Sequence, residues 1–389
     1  MSPARLDLIL VGFGNVGRRF VRLLRERAAH LLSTDDLTWR VIGIVTRHHG
    51  AARSLDGLDV DEALSLAESG RQLDLLHDVG ANPAGPGETL TTNTFIDQTL
   101  ADALRADPAR HLVMVETSVL DIGSGQPAIS HVRTALLNRA HVITANKGPV
   151  AFAYRELAAL AHAQDLSFLF EGTVMDGIPV FNLARETMPA ITITGFRGVV
   201  NTTTNYILAA MEGGHEFAEA LAEMQAAGIA EADASLDVDG WDAAAKTAAL
   251  VNVLMAGAIT PRDVDRTGIG GLNGPDLRAA AARGRVWKLV ATAGYRDGRL
   301  FARVAPEELP LSDPLARLEA EQNAIILETD LLDRLAIVQL GSGLTQTAYA
   351  LVSDLVTIRR RLMPRRRQGY EAPPSHRPER SGPEGGVVS

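Results

Sequence analysis

The stretch that most constrains this chain is Gly12-Phe13-Gly14-Asn15-Val16-Gly17, because of what stands on either side of it. Residues 6–11, LDLILV, form an apolar run of the kind expected for a strand buried on both faces of a parallel sheet. After the glycines, RRFVRLLRERAAH puts Phe20, Leu23 and Leu24 on one face among arginines, the period of an amphipathic helix. A lone glycine turn means little. Between a strand and a helix it reads as a dinucleotide fingerprint: Gly12 permits the tight turn, Gly14 lets a pyrophosphate approach the backbone, and Gly17 lets helix and strand pack closely.

Further apolar strands are expected at 39–46, 111–117, 141–145 and 166–171, with helical patterns between several of them, which argues for a doubly wound, Rossmann-type α/β domain. Past about residue 172 the texture changes to a strand at 192–200 and alanine-rich helices near 216–227 and 241–257, with strand-like stretches near 299–305 and 323–329. An inserted α+β domain is expected there. Residues 336–360 read as strand, small-residue turn and helix, returning to complete the first domain. The expected division is a dinucleotide-binding domain at 1–150, a catalytic and dimerisation domain at 151–335, a return segment at 336–362 and a disordered tail at 363–389, rich in Pro, Gly and Arg.

Cysteine is absent, which excludes disulfides, thiolate nucleophiles and cysteine-ligated metal centres. A net charge of −9 offers no basic footprint for nucleic acid or an anionic membrane. The apolar run at 6–11 is too short to cross a bilayer. A cytoplasmic protein with a small-molecule ligand is expected.

Three further places can carry chemistry. Where an acidic residue would bind the ribose 2′-hydroxyl of NAD, the chain has Thr46-Arg47-His48-His49, so Arg47 favours the 2′-phosphate of NADP over NAD. Lys147 follows a parallel strand at the sheet edge where ligands bind in such folds, although most lysines after strands are merely solvated. The third is Glu231-Ala-Asp-Ala-Ser-Leu-Asp237-Val-Asp239-Gly-Trp-Asp242-Ala-Ala-Ala-Lys246. Asp242 and Lys246 share a helix face, and the ordinary reading is a surface ion pair on a helix capped by Asp239. The helix continues TAALVNVLMAGA, apolar on nearly every side, so both charges should be buried, and buried charges need a partner or a task.

Six blocks in order carry a resemblance: the fingerprint, ETSVLDIGSGQPAISHVRTALLNRAHVITANKGP (116–149), EGTVMDGIPVF (171–181), RGVVNTTTNYIL (197–208), GIAEADASLDVDGWDAAAK (228–246) and LGSGLTQTAYALVSDL (340–355). Together they resemble homoserine dehydrogenase. The resemblance implies interconversion of L-homoserine and L-aspartate 4-semialdehyde with NADP or NAD. It assigns Glu231 and Asp242 to the amino-acid substrate, Lys246 to proton transfer, Lys147 to a place beside substrate and nicotinamide, and Thr117 and Gly343 to the cofactor. It also implies a structural monovalent cation held by Glu171, Val174, Asp176 and Ile178, largely through main-chain oxygens, and a homodimer joined through the inserted domain. The chain departs from the family pattern at Met175-Asp176 and at Thr202, where larger residues replace small ones near the expected pocket. No counterpart of the family's C-terminal ACT domain is read. Two other readings stay open on the residues: a dehydrogenase of the same fold with another small hydroxy or aldehyde substrate, and a non-catalytic dinucleotide sensor. Retention of Lys147, Asp242 and Lys246 argues against the sensor. Burial and a second lysine would lower the pKa of Lys246 or Lys147 whereas Asp242 would raise it, and the sequence does not fix which lysine is neutral.

Overall fold

The computed structural model describes residues 4–76, 91–226 and 234–362. Glu231 and the 363–389 tail lie outside the described residues. In chain order the first unit contains β1 (Ala4–Val11), α1 (Asn15–Glu26), α2 (Ala28–Asp35), β2 (Leu37–Val45), β3 (Ala51–Arg53), α3 (Val60–Glu68), α4 (Thr92–Ala106), β4 (His111–Glu116), α5 (Ala128–Leu137), β5 (His141–Thr144), α6 (Gly148–Ala163) and β6 (Phe168–Leu169). Its sheet runs β3-β2-β1-β4-β5-β6. All neighbours are parallel except β3, an antiparallel edge strand. β1 is buried along residues 6–11, as its largely apolar run requires. Its buried charge, Asp7, is held by Arg40 at 2.7 Å and Arg110 at 3.2 Å.

The second unit contains α7 (Val180–Thr187), β7 (Ile193–Val199), α8 (Thr202–Glu212), α9 (Phe217–Ala226), α10 (Ser235–Val238), α11 (Trp241–Leu254), β8 (Asp265–Arg266), α12 (Gly274–Ala282), β9 (Arg285–Arg296), β10 (Arg299–Pro310), β11 (Asn323–Thr329) and β12 (Arg334–Gln339). Its sheet order is β12-β11-β7-β9-β10-β8. The chain then returns through α13 (Leu344–Leu362), which packs on α1. Arg359 of α13 bonds the Asp36 carboxylate at 2.7 Å.

Two expected boundaries move. Residue 150 falls inside α6, and β6 beyond it still belongs to the first sheet, so that unit reaches at least residue 169. The strand read at the start of 336–360 is β12, which pairs with β11 in the second sheet. Only the helix returns. A short alternating strand before a small-residue turn looks the same whichever sheet it joins.

Between the units, α11 lies against α6. Asn252 fixes that contact, its amide lying 3.2 Å from the Val150 carbonyl and 3.3 Å from that of Ala151. In this packing Lys147, at the start of α6, comes within ion-pair distance of Asp242 in the first turn of α11.

Candidate active site

The glycine turn is built largely from main chain. Gly12 has φ +87°, and a Cβ there would lie 2.8 Å from the backbone of Thr117 and Ser118. The turn is pressed onto the end of β4, where the Thr117 amide donates to the Val11 carbonyl at 2.8 Å and its hydroxyl to the Gly12 carbonyl at 3.0 Å. Gly17 is confined as well, since its Cβ would meet the Gly12 oxygen at 3.0 Å. Gly14 differs: nothing lies within 4 Å of its Cβ position, and it begins α1 without any side-chain cap. Two glycines serve the fold and the third leaves room above a helix N-terminus, which fits a dinucleotide pyrophosphate. Phe13 is buried, Val16 packs on the same core, and Asn15 accepts from Arg18 at 2.8 Å. Arg47 is exposed in the turn after β2, and Gly343 precedes α13.

The second half of the site is made of side chains. Asp239 does not cap α11: Gly240, at φ +80°, takes the N-cap position, and among the described residues no side-chain cap bond is made there. Asp242 sits in the first turn, where the helix dipole favours a carboxylate. Its Oδ2 is 2.9 Å from Lys246 Nζ and its Oδ1 is 3.2 Å from Lys147 Nζ. All three side chains are mostly buried, at 16, 16 and 23% exposure for Asp242, Lys246 and Lys147. Lys246 also donates to the Val200 carbonyl at 2.7 Å, where β7 ends.

Sequence reasoning gave no role to Asn201 and Asp237, which complete this cluster. Asn201 caps α8, its Oδ1 accepting from the Thr204 amide at 2.8 Å. Its Nδ2 is 2.7 Å from Asp237 and 2.9 Å from Asp242. The available signal was an asparagine directly before a helical segment, whose side chain is split between the cap and whatever faces it. Lys147 is set by its neighbour: Asn146 Nδ2 donates to the Ser118 carbonyl at 2.9 Å while its Oδ1 accepts from the Gly148 amide at 2.8 Å. The loops after β4 and β5 are tied together there.

Burial alone would raise the Asp242 pKa, but the charges of Lys246 and Lys147 and the bonds from Lys246 and Asn201 hold it well below the carboxylate range. For Lys246, burial works downward and is overcome by Asp242, with Asp176 and Asp237 adding to it, so the ammonium is held above its ordinary value. That direction favours the ammonium form of Lys246. Asp237 moves up, first through burial and then through repulsion from Asp242.

The segment expected to hold a cation follows β6. Glu171, Val174 and Ile178 are buried and Asp176 is half-buried. The Glu171 carboxylate accepts the amides of Phe181 at 2.8 Å and Asn182 at 2.7 Å at the start of α7, while burial and then Asp354 push its pKa up to about 8. Asp176 accepts from Thr347 and Gln339. These side chains are taken, and among the described residues no group of three or more His, Cys, Asp or Glu could hold a metal ion. Main-chain oxygens remain as donors, of which that of Ile178 already accepts the Val180 amide at 2.8 Å.

Comparison with known proteins agrees with this geometry. The family described as homoserine dehydrogenase matches residues 179–356, and the homoserine dehydrogenase NAD binding domain matches residues 12–171. The NAD(+)-dependent homoserine dehydrogenase of Pseudomonas canavaninivorans is 36% identical over 352 residues, 90% of this chain and 95% of the relative. The homoserine dehydrogenase of Methanocaldococcus jannaschii is 34% identical over 91% of this chain and 98% of its own. Among solved structures, a homoserine dehydrogenase from Thiobacillus denitrificans superposes with a TM-score of 0.72 at 27% identity, covering 92% of this chain and 73% of that one.

Proposed function

The chain belongs to the homoserine dehydrogenase family, and on that premise we propose which of its residues do what. It is a nicotinamide-dinucleotide-dependent oxidoreductase acting on a CH–OH group, interconverting L-homoserine and L-aspartate 4-semialdehyde. In this reading Gly12 to Gly17, Thr117 and Gly343 hold the dinucleotide, with Arg47 selecting NADP through its 2′-phosphate. Glu231, Asp242 and Lys147 bind the amino acid. Lys246 moves the proton.

When bound, the nicotinamide supplies the hydride acceptor or donor. The protein's share is the proton on oxygen. An ammonium has three donors, and those of Lys246 already reach Val200 and Asp242, which leaves one for a substrate oxygen. Reducing the aldehyde places charge on that oxygen, and Lys246, kept protonated by Asp242, is suited to donate to it. Oxidising the alcohol needs the neutral amine, so that direction is favoured as pH rises. The single observation carrying this assignment is one carboxylate bridging two lysines from different units. Purified protein assayed with homoserine and each dinucleotide tests it, and a folded Lys246→Met variant with wild-type turnover would remove Lys246 from the mechanism.

Three further parts belong to the same proposal. A monovalent cation on the main-chain oxygens of Glu171, Val174, Asp176 and Ile178 would raise the melting temperature when potassium or sodium replaces a bulky organic cation. A homodimer through the second sheet is supported by edge strand β12, where Val338 is exposed with Leu331, Leu332 and Leu340 nearby in the chain. Sedimentation of wild type and Val338→Lys tests it. Among the described residues no helix is long and apolar enough to cross a membrane. A cytoplasmic site of action is the matching expectation, tested by cell fractionation.

A further inference from the structure

The loop after β6 contains a conflict between sequence and backbone. Met175 and Asp176 have φ of +54° and +52°, the left-handed region that glycine enters freely and most side chains avoid. Such backbone persists where surrounding contacts over-determine it. At Asp176 those contacts are visible. The Thr347 hydroxyl donates to its Oδ1 at 3.1 Å, and Gln339 Nε2 donates to its Oδ2 at 3.3 Å. Thr347 lies in the first turn of α13 and its hydroxyl also reaches the Gly343 carbonyl at 3.4 Å, while Gln339 ends β12 in the other sheet.

From Gln339 the bonding continues inward. Asn323 Nδ2 is 3.5 Å from Gln339 Oε1 and 2.8 Å from Thr202 Oγ1. Thr202 opens α8 directly after Asn201, the residue that holds Asp237 and Asp242. Side-chain hydrogen bonds therefore run from the first turn of α13 as far as Thr202, and the chain itself carries the connection one residue further to Asn201, which bonds the carboxylate that bridges the two lysines. Asn323 and Gln339 are buried along this line, and Asp176 supplies the acceptors at its head. Glycine at position 176 would relax the backbone but leave Thr347 and Gln339 without those acceptors.

We propose that Asp176 is a positioning residue that couples the dinucleotide side of the cleft to the amino-acid side, by docking its loop on both α13 and β12 and so setting Asn201 through Gln339, Asn323 and Thr202. The proposal rests on the roles given above to Asp242 and Lys246. Removing the carboxylate then loosens homoserine binding more than it slows turnover, and weakens the dependence of homoserine binding on the dinucleotide.

The experiment compares wild type with Asp176→Gly, Asp176→Asn, Thr347→Val and the Thr347→Val/Asp176→Gly pair. KM and kcat for homoserine, calorimetric Kd for NADP and NAD, homoserine affinity with and without NADP, and melting curves are all measured. Asp176→Gly is expected to raise KM for homoserine about tenfold or more, as loss of hydrogen bonds to a charged acceptor does, with the dinucleotide Kd held. It is also expected to shrink the factor by which NADP tightens homoserine binding. Asp176→Asn tolerates the left-handed backbone and keeps an acceptor, so it should recover most of both effects. The pair should be no worse than Asp176→Gly alone, since Thr347 acts on this loop through its bond to Asp176. A folded Asp176→Gly with unchanged KM and unchanged coupling overturns the proposal, as do strictly additive effects in the pair. If Asp176→Gly does not fold, the same two readouts in Asp176→Asn and Thr347→Val decide. Wild type inactive on homoserine would instead sink the underlying reading of the site.

Discussion

Residues 12–17 make their half of the site from backbone, whereas the half around Asp242 is made from five side chains brought from three parts of the chain: Lys147, Asn201, and Asp237 with Asp242 and Lys246. In the turn, function follows from what is missing, because Gly14 leaves open space above a helix N-terminus. In the cluster, function follows from an excess of charge in a mostly buried place, where Asp242 is shared by two ammonium groups. Substitutions should separate the two. A change in the cluster should alter chemistry and leave dinucleotide binding intact, and a change in the turn should do the reverse.

The largest expected effect is that of Lys246→Met. It removes the proton donor while keeping most of the apolar stem, so turnover should fall by about 10² to 10⁴-fold, the usual share of general acid–base catalysis. Dinucleotide affinity, read by fluorescence titration, should hold. Loss of both together would mean that the two halves are not independent. Asp242→Asn comes next, and the informative readout is a pH profile. Asp242 is the main group raising the Lys246 pKa against its burial, so its removal lets that pKa fall. Aldehyde reduction requires the protonated lysine and is lost as pH rises through its pKa. The alkaline limb should therefore move to lower pH in Asp242→Asn, and an unmoved limb would assign it to another group.

The contrast also explains what was legible in the sequence. The turn occupies six contiguous residues between a strand and a helix, so its geometry is local and its signal survives in one dimension. Asp242 and Lys246 were visible for the same reason, one helical turn apart on a helix too apolar to face water. The Lys147–Asp242 bridge was not, because it depends on α6 and α11 packing across the two units. β9 escaped notice because its buried Lys288, bonded to Asn205 at 2.7 Å and Leu318 at 2.8 Å, breaks an apolar pattern with a residue that normally marks a solvent face. β12 was seen and placed in the wrong sheet, since alternation reports a strand but not its partner.

Arg47 tests whether the backbone half needs side chains for selectivity. It is exposed after β2, and a charge-assisted bond to a 2′-phosphate contributes about 1.5–3 kcal/mol, roughly a factor of ten to a hundred or more. Arg47→Asp should cut the ratio of NADP to NAD efficiency by about that factor, with turnover on NAD retained. An unchanged ratio would mean that the 2′-phosphate is not recognised at this turn.

The smallest expected effect is on stability, and it sets two glycines of the same turn against each other. Gly12→Ala must hold a side chain at φ +87° with its Cβ 2.8 Å from the backbone of Thr117 and Ser118. The left-handed conformation alone costs about 1–2 kcal/mol, and the contact adds to it, so the melting temperature should fall and dinucleotide affinity with it. Gly14→Ala meets nothing within 4 Å and has φ −76°, so the free protein should melt like wild type. Its methyl group would instead stand where the phosphates are expected, raising the dinucleotide KM without a change in folding. Equal melting losses in the two variants would show that Gly14 is held by the fold, and the open space above α1 would lose its meaning as a ligand site. Unchanged affinity in Gly14→Ala with unchanged melting would place the pyrophosphate elsewhere in the turn.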